Sequence, residues 1–91
     1  MAGHYLTKAG YRRIRLDDGT WILEHRHVMA NMLGRRLTKG ESVHHKNGRK
    51  ADNRPENLEL WISHQPTGQR VEDVVAWARE MLDRYESLVS A

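Results

Sequence analysis

The chain has no cysteine and no phenylalanine, and no apolar run approaches the length needed to cross a membrane. The lack of cysteine excludes disulfide bonds and cysteine-ligated zinc, two devices that often stabilise small domains. The start of the sequence lacks the apolar stretch of a signal peptide, so we expect a cytoplasmic protein with no membrane partner. Ninety-one residues suffice for one domain with a modest core.

Charge is distributed unevenly along the chain. The formal net charge is +3, from 15 Lys+Arg against 12 Asp+Glu. Basic residues are concentrated between Lys8 and Arg54, whereas most of the acidic residues come later. A basic body followed by a balanced tail is typical of a protein that binds a polyanion, although an ordinary solvated surface explains the charge equally well.

Hydrophobic periodicity predicts a β-hairpin within residues 10–24. Residues 11–16 alternate apolar and basic side chains, which is the period of a strand. The Asp-Asp-Gly sequence at 17–19 favours a tight turn, and residues 20–23 form the returning strand. Residues 1–9 are expected to be flexible.

Two helices are predicted, a short one over residues 25–34 and a long amphipathic one over residues 69–89. Gly34 is a natural end for the first helix, with Arg35 and Arg36 near the negative end of its dipole. Without phenylalanine, the aromatic residues expected in the core are Trp21, Trp61 and Trp77.

The most informative stretch is VHHKNG at residues 43–48, followed by DNRPENL at residues 52–58. Two adjacent histidines, His44 and His45, end a short apolar run that predicts a strand. Side chains of neighbouring strand residues point to opposite faces, so the two imidazoles are expected to do different jobs. One can hold a metal while the other takes a proton, although both can also be ordinary polar residues at a strand end.

Asn57 stands where a second strand begins, after the polar loop. An asparagine side chain both donates and accepts, so it can bond across the loop to the backbone or the ring of the histidine base. An ordinary turn asparagine is the alternative. Asn53 is expected to organise the loop through bonds from its side chain to the backbone.

These two motifs resemble those of the HNH endonuclease family, which has the ββα-metal fold, and in particular its phage and homing group. The resemblance extends upstream to residues 24–37 and downstream to residues 65–78, so it covers nearly the whole chain. It implies an α+β protein, with one HNH domain over residues 1–91. A ββα-metal core at 42–68 would follow the hairpin and short helix, and the long amphipathic helix would come last.

The resemblance also implies a role for each motif residue. His45 would be the general base and Asn57 would orient it. His44 would be the first metal ligand and His64 the last. The cofactor would be one divalent ion, Mg²⁺ or Mn²⁺, with Zn²⁺ or Ni²⁺ as alternatives because imidazole suits softer cations. His25 and His27 lack the helical spacing of a metal-binding pair.

The function implied is metal-dependent nicking of DNA, expected to be double-stranded, in the cytoplasm of a bacterial or phage-infected cell. The alternative is a catalytically weak DNA-binding or phage DNA-packaging module of the same fold. Partners would then include packaging proteins or a second copy of the chain in a homodimer. Phosphate contacts are expected from six basic residues: Arg13, Arg15, Lys46, Arg49, Lys50 and Arg54.

Overall fold

The computed structural model describes residues 3–63 and 70–89 and has an α+β architecture. His64, predicted above as a metal ligand, lies outside the described residues. The elements in chain order are β1 (His4–Leu6), β2 (Arg12–Arg15), β3 (Trp21–Leu23), α1 (Glu24–Leu33), β4 (Glu41–His45), a 3₁₀ turn (Pro55–Asn57), β5 (Leu58–Ile62) and α2 (Val71–Val89).

The first sheet has three antiparallel strands in the order β1-β2-β3. The turn between β2 and β3 contains Gly19 at a φ of 88°, and the Thr20 amide donates to Oδ1 of Asp18 at 2.9 Å. Residues 4–6 depart from the expectation of a flexible start. They form β1, because the free edge of β2 offers backbone partners for a third strand.

Helix α1 begins directly after β3 and ends at Gly34, which adopts the left-handed conformation with a φ of 71°. Its buried residue Met29 forms the core with Val43 of β4 and Leu58 of β5. The expectation that Arg35 lies by the helix dipole is corrected, because its guanidinium turns to a buried carboxylate, Glu41.

Strands β4 and β5 form a separate antiparallel pair, in which His45 lies opposite Leu58 and Glu41 lies opposite Ile62. Burial alternates along β4, since Glu41 and Val43 are buried while Ser42 and His44 are exposed. One face of this hairpin therefore packs on α1, and the other face is open to solvent.

Glu41 joins three parts of the fold. Arg35 donates two hydrogen bonds of 2.9 Å to its carboxylate, and the Thr38 amide donates a third of 2.6 Å. The hydroxyl of Tyr85 on α2 donates a fourth, of 2.7 Å. The side chain of Glu41 has no solvent exposure, and the hydrogen bonds from Arg35 hold its pKa far below the usual range.

Two of the tryptophans expected in the core are on the surface. Trp21 is 40% exposed and packs edge-on against Tyr5, and Trp61 is 51% exposed. Trp77 is half-buried. The core between α1 and the β4–β5 hairpin is formed instead by Met, Val and Leu side chains. Within residues 3–63 and 70–89, no helix is both long and apolar enough to span a membrane.

Candidate functional site

His44 and His45 point away from each other at the end of β4, as the alternation of a strand requires. The ring of His44 is exposed and stacks on Trp61 of β5, with 3.9 Å between the ring centroids and 13° between the planes. His45 is half-buried on the opposite face, 5.1 Å from the ring of His25 on α1.

One nitrogen of the His45 ring is held by the loop that follows β4. Its Nε2 lies 2.6 Å from Oδ1 of Asn53, and Nδ2 of Asn53 donates to Oε1 of Glu24 at 2.8 Å. A carboxylate can only accept, so the amide nitrogen of Asn53 must face Glu24 and the amide oxygen must face His45. Nε2 of His45 is therefore the donor in this contact.

The other ring nitrogen of His45, Nδ1, makes no hydrogen bond to the described residues and is not among their buried unpaired atoms. It is thus the nitrogen that water can reach. The ring borders an open cavity of about 490 Å³ whose lining includes Tyr11, His25 and Lys50. The neutral ring with a proton on Nε2 has its lone pair on Nδ1, so this nitrogen can accept a proton from water.

His25 forms the floor of this cavity. It is 6% exposed, and its ring stacks on Tyr11 with 5.2 Å between centroids. Burial, followed by the nearby His45, Arg26 and His44, lowers the pKa of His25 to about 4. His25 is therefore uncharged at neutral pH, in keeping with a packed residue and not with a cation that binds phosphate.

Asn57 braces the loop that carries Asn53. It is buried, its Nδ2 donates to Oδ1 of Asn47 at 3.0 Å and to the Asp52 carbonyl at 2.8 Å, and its Oδ1 accepts from the Asn47 amide at 3.2 Å. The Lys46 amide donates to the Asn57 carbonyl at 2.8 Å. Of the two contacts foreseen for Asn57, the structure has the one to the backbone and not the one to the histidine ring.

Three basic residues of the loop follow His45 within five positions along the chain. Lys46 and Arg49 are exposed and form no ion pair within the described residues. Lys50 lines the cavity, donates to the Ala9 carbonyl at 3.0 Å, and has its ammonium 5.1 Å from the centroid of the Tyr11 ring. All three side chains are exposed, so they can meet a polyanion.

The remaining predicted phosphate contacts are less available. Arg54 is tied to Asp52 at 2.8 Å, and this contact holds the pKa of the Asp52 carboxyl well below its ordinary value. Arg13 is half-buried in the middle strand of the first sheet, whereas Arg15 at the end of that strand is exposed.

His44 is the predicted metal ligand that lies within the described residues. His44 offers an exposed imidazole that makes no hydrogen bond within the described residues. No group of three or more His, Asp or Glu within residues 3–63 and 70–89 could hold an ion. A one-imidazole site remains suited to a cation that keeps several waters and takes phosphate oxygens as further ligands.

The central segment of the chain matches a known family. The match is to the model described as HNH endonuclease and covers residues 23–65. This segment is similar to the HNH endonuclease family. The HNH segment contains α1, the β4–β5 hairpin and the loop between them, and so includes Glu24, His45 and Asn53. Nucleases of this family act on DNA and generally use a divalent metal. No curated protein and no solved structure matches the chain.

Sequence reasoning missed two residues that surround the ring of His45. Asn53 was expected to bond to the backbone, but it bonds to the side chains of His45 and Glu24. Glu24 was not singled out at all. It stands 29 residues before Asn53, and no periodicity or spacing connects the two. Only the packing of α1 against the loop brings them together.

Proposed function

We propose that this chain is a metal-dependent HNH endonuclease that nicks DNA. The observation that carries the proposal is the orientation of His45: one ring nitrogen is held by Asn53, and the other faces an open cavity bordered by cations. A general base needs an imidazole that is fixed in orientation and open to solvent, because its lone pair must point at the water that attacks phosphorus.

In this proposal Nδ1 of His45 removes a proton from the attacking water. Lys46 and Arg49 bind the phosphates beside the scissile bond, and Asn57 keeps the loop in place so that Asn53 can hold the ring. His44, together with His64, would ligate a divalent cation. The bound cation would offset negative charge on the phosphate and the leaving oxygen. Mg²⁺ and Mn²⁺ are the favoured ions, and Zn²⁺ or Ni²⁺ are alternatives.

The substrate would be double-stranded DNA in the cytoplasm of a bacterial or phage-infected cell. A single site of this kind cuts one strand, so double-strand cleavage would require a homodimer or two successive nicks.

The decisive variant is His45→Ala. We expect it to abolish nicking of supercoiled plasmid in Mg²⁺ or Mn²⁺ because it removes the nitrogen that would accept a proton from the attacking water. Loss of a general base typically costs about 10²- to 10⁴-fold in rate. Gel conversion of supercoiled to nicked plasmid measures the rate, and EDTA is the metal-free control.

DNA binding by the His45→Ala variant should remain close to that of the wild type, since the cations bordering the cavity are kept. The matched control is His27→Ala, whose exposed contact with Asn31 lies away from the cavity. Nicking by His45→Ala at the wild-type rate would refute the role of His45.

One observation favours a second candidate function, a DNA-binding or packaging module without strong catalysis. Among the described residues, no group of three or more His, Cys, Asp or Glu side chains could hold a metal ion at His44 or elsewhere. Titration with Mn²⁺ separates the two functions. An endonuclease should gain thermal stability and nicking activity with the ion, whereas a binding module should gain neither.

A further inference from the structure

The amide of Asn53 lies between two groups with opposite hydrogen-bonding needs. Oδ1 is 2.6 Å from Nε2 of His45, and Nδ2 is 2.8 Å from Oε1 of Glu24. The two ends of an asparagine amide are nearly equal in shape, so packing alone does not choose between its two orientations. The choice is made by the hydrogen-bond partners.

Glu24 is the partner that makes the choice. Its carboxylate accepts and cannot donate when ionised, so it can bind only the amide nitrogen of Asn53. Nε of Arg12 lies 3.7 Å from the same oxygen of Glu24, and the side chain is only 20% exposed. Glu24 also stands in the first turn of α1, where the helix dipole stabilises a negative charge. Arg12 and the helix dipole both attract the acceptor oxygens of Glu24 by their positive charge.

The orientation of the amide decides which nitrogen of the His45 ring carries the proton. With Oδ1 facing His45, Nε2 must donate, so in the neutral ring the lone pair is on Nδ1, at the open cavity. If the amide were reversed, Nδ2 would donate to Nε2. The proton of the neutral ring would then sit on Nδ1, and the nitrogen that faces water could not accept a proton.

We propose that Glu24 is a positioning residue that sets the tautomer of His45 through the amide of Asn53. The inference rests on the proposed function only for the purpose of the tautomer, which is to let His45 act as a base. The contacts from Glu24 through Asn53 to His45 do not depend on a substrate. It also gives α1 a role beside the β4–β5 hairpin, because the helix supplies the acceptor that orients the amide of Asn53.

The test reads the tautomer directly. In ¹⁵N-histidine-labelled full-length protein, at about pH 8 where an ordinary imidazole is neutral, long-range ¹H–¹⁵N spectra distinguish the protonated from the unprotonated nitrogen of His45. The wild type should show one tautomer, with the proton on Nε2. Glu24→Ala should shift the two nitrogens of His45 towards averaged values, because both amide orientations become available. Glu56→Ala, an exposed carboxylate on the same loop, is the matched control.

A rescue distinguishes tautomer control from a general structural role. Asn53→Asp combined with Glu24→Ala places an acceptor-only group beside Nε2 without setting two carboxylates 2.8 Å apart. Glu24→Ala alone should therefore disturb the tautomer, and the double variant should restore the proton to Nε2. A purely structural role for Glu24 would leave the double variant as disturbed as Glu24→Ala and would overturn the proposal.

Nicking assays run beside the spectra keep the inference separate from the proposed function. Glu24→Ala should lower the nicking rate by about twofold or more, because the amide then has two orientations and one of them disables Nδ1. Should Glu24→Ala fail to fold, Glu24→Met keeps the side-chain length without any acceptor and carries the same expectation. A wild-type tautomer in the folded Glu24 variant overturns the proposal. If Glu24→Ala loses the single tautomer but the wild type itself does not nick DNA, the tautomer assignment is supported and the proposed endonuclease function is refuted.

Discussion

The imidazole of His25 loses nearly all of its contact with water when the chain folds, since it is only 6% exposed between Tyr11 and His45. Its Nδ1 is buried without a hydrogen-bond partner in the described part of the chain. A charged ring would be costly there, and burial lowers the pKa of His25 to about 4 from its ordinary value of 6.5. Folding therefore selects the neutral ring.

This shift predicts a loss of stability in mild acid. Between pH 6.5 and pH 4 the unfolded chain binds a proton at His25 and the folded chain does not, so the free energy of unfolding falls as the pH falls. At pH 5.5 the loss from His25 should be about 1.4 kcal/mol. Urea denaturation at pH 7.5 and 5.5 measures it, and His25→Gln should lose this part of the pH dependence. An equal pH dependence in both proteins would contradict the assignment.

At the scale of secondary structure, Glu41 is the residue through which elements are joined. Its carboxylate at the start of β4 accepts hydrogen bonds from Arg35 after α1 and from Tyr85 on α2. Helix α2 has no buried residue among those described, and the exposed side chains of its apolar face include Val75 and Leu82. The contact between Tyr85 and Glu41 is therefore an important constraint on where α2 lies.

Glu41→Ala should be strongly destabilising. The change leaves the guanidinium of Arg35 and the hydroxyl of Tyr85 without their acceptor, and breaking a buried ion pair typically costs about 3–5 kcal/mol. The matched control is Glu80→Ala, which removes an exposed pair with Arg84 and should cost less than about 0.5 kcal/mol. Urea midpoints give both values, and similar midpoints for the two variants would show that Glu41 does not join the elements.

At the scale of the whole molecule, charge is divided between the two ends of the chain. Residues 8–54 contain 12 of the 15 basic residues and 5 of the 12 acidic ones, so the sheets and the loop are cationic while α2 is not. A polyanion should therefore bind over the loop that contains Lys46 and Arg49. Its affinity should fall as the salt concentration rises, because the release of counterions from the polyanion on binding becomes less favourable.

Salt dependence tests this division of charge. In the His45→Ala background, fluorescence anisotropy with duplex DNA between about 50 and 200 mM salt gives the slope of log Kd against log salt concentration. Lys46→Ala and Arg49→Ala should each reduce the magnitude of the slope by about 1, because each removes one phosphate contact. Arg79→Ala on α2 should leave the slope unchanged. A reduction by Arg79→Ala of the same size would place the DNA elsewhere.

The features that could be predicted from the sequence are those set by neighbouring residues. Strand alternation made it possible to predict from adjacency alone that the rings of His44 and His45 diverge. Gly34 could be foreseen at the end of α1, because a glycine readily adopts a positive φ. Trp21 and Trp61 were misplaced, since a hydrophobic side chain need not be buried, and Trp61 lies on the open face of β5 against His44.

The amino-acid order by itself determined the elements after β1 and the family motif, because these depend on residues close together in the chain. It also placed an imidazole and an asparagine at either end of one polar loop. Only the tertiary structure decided which groups hold the His45 ring, since Glu24 reaches Asn53 across 29 residues through the packing of α1. Side-chain contacts at that separation follow from how helices and strands pack, and periodicity carries no information about them.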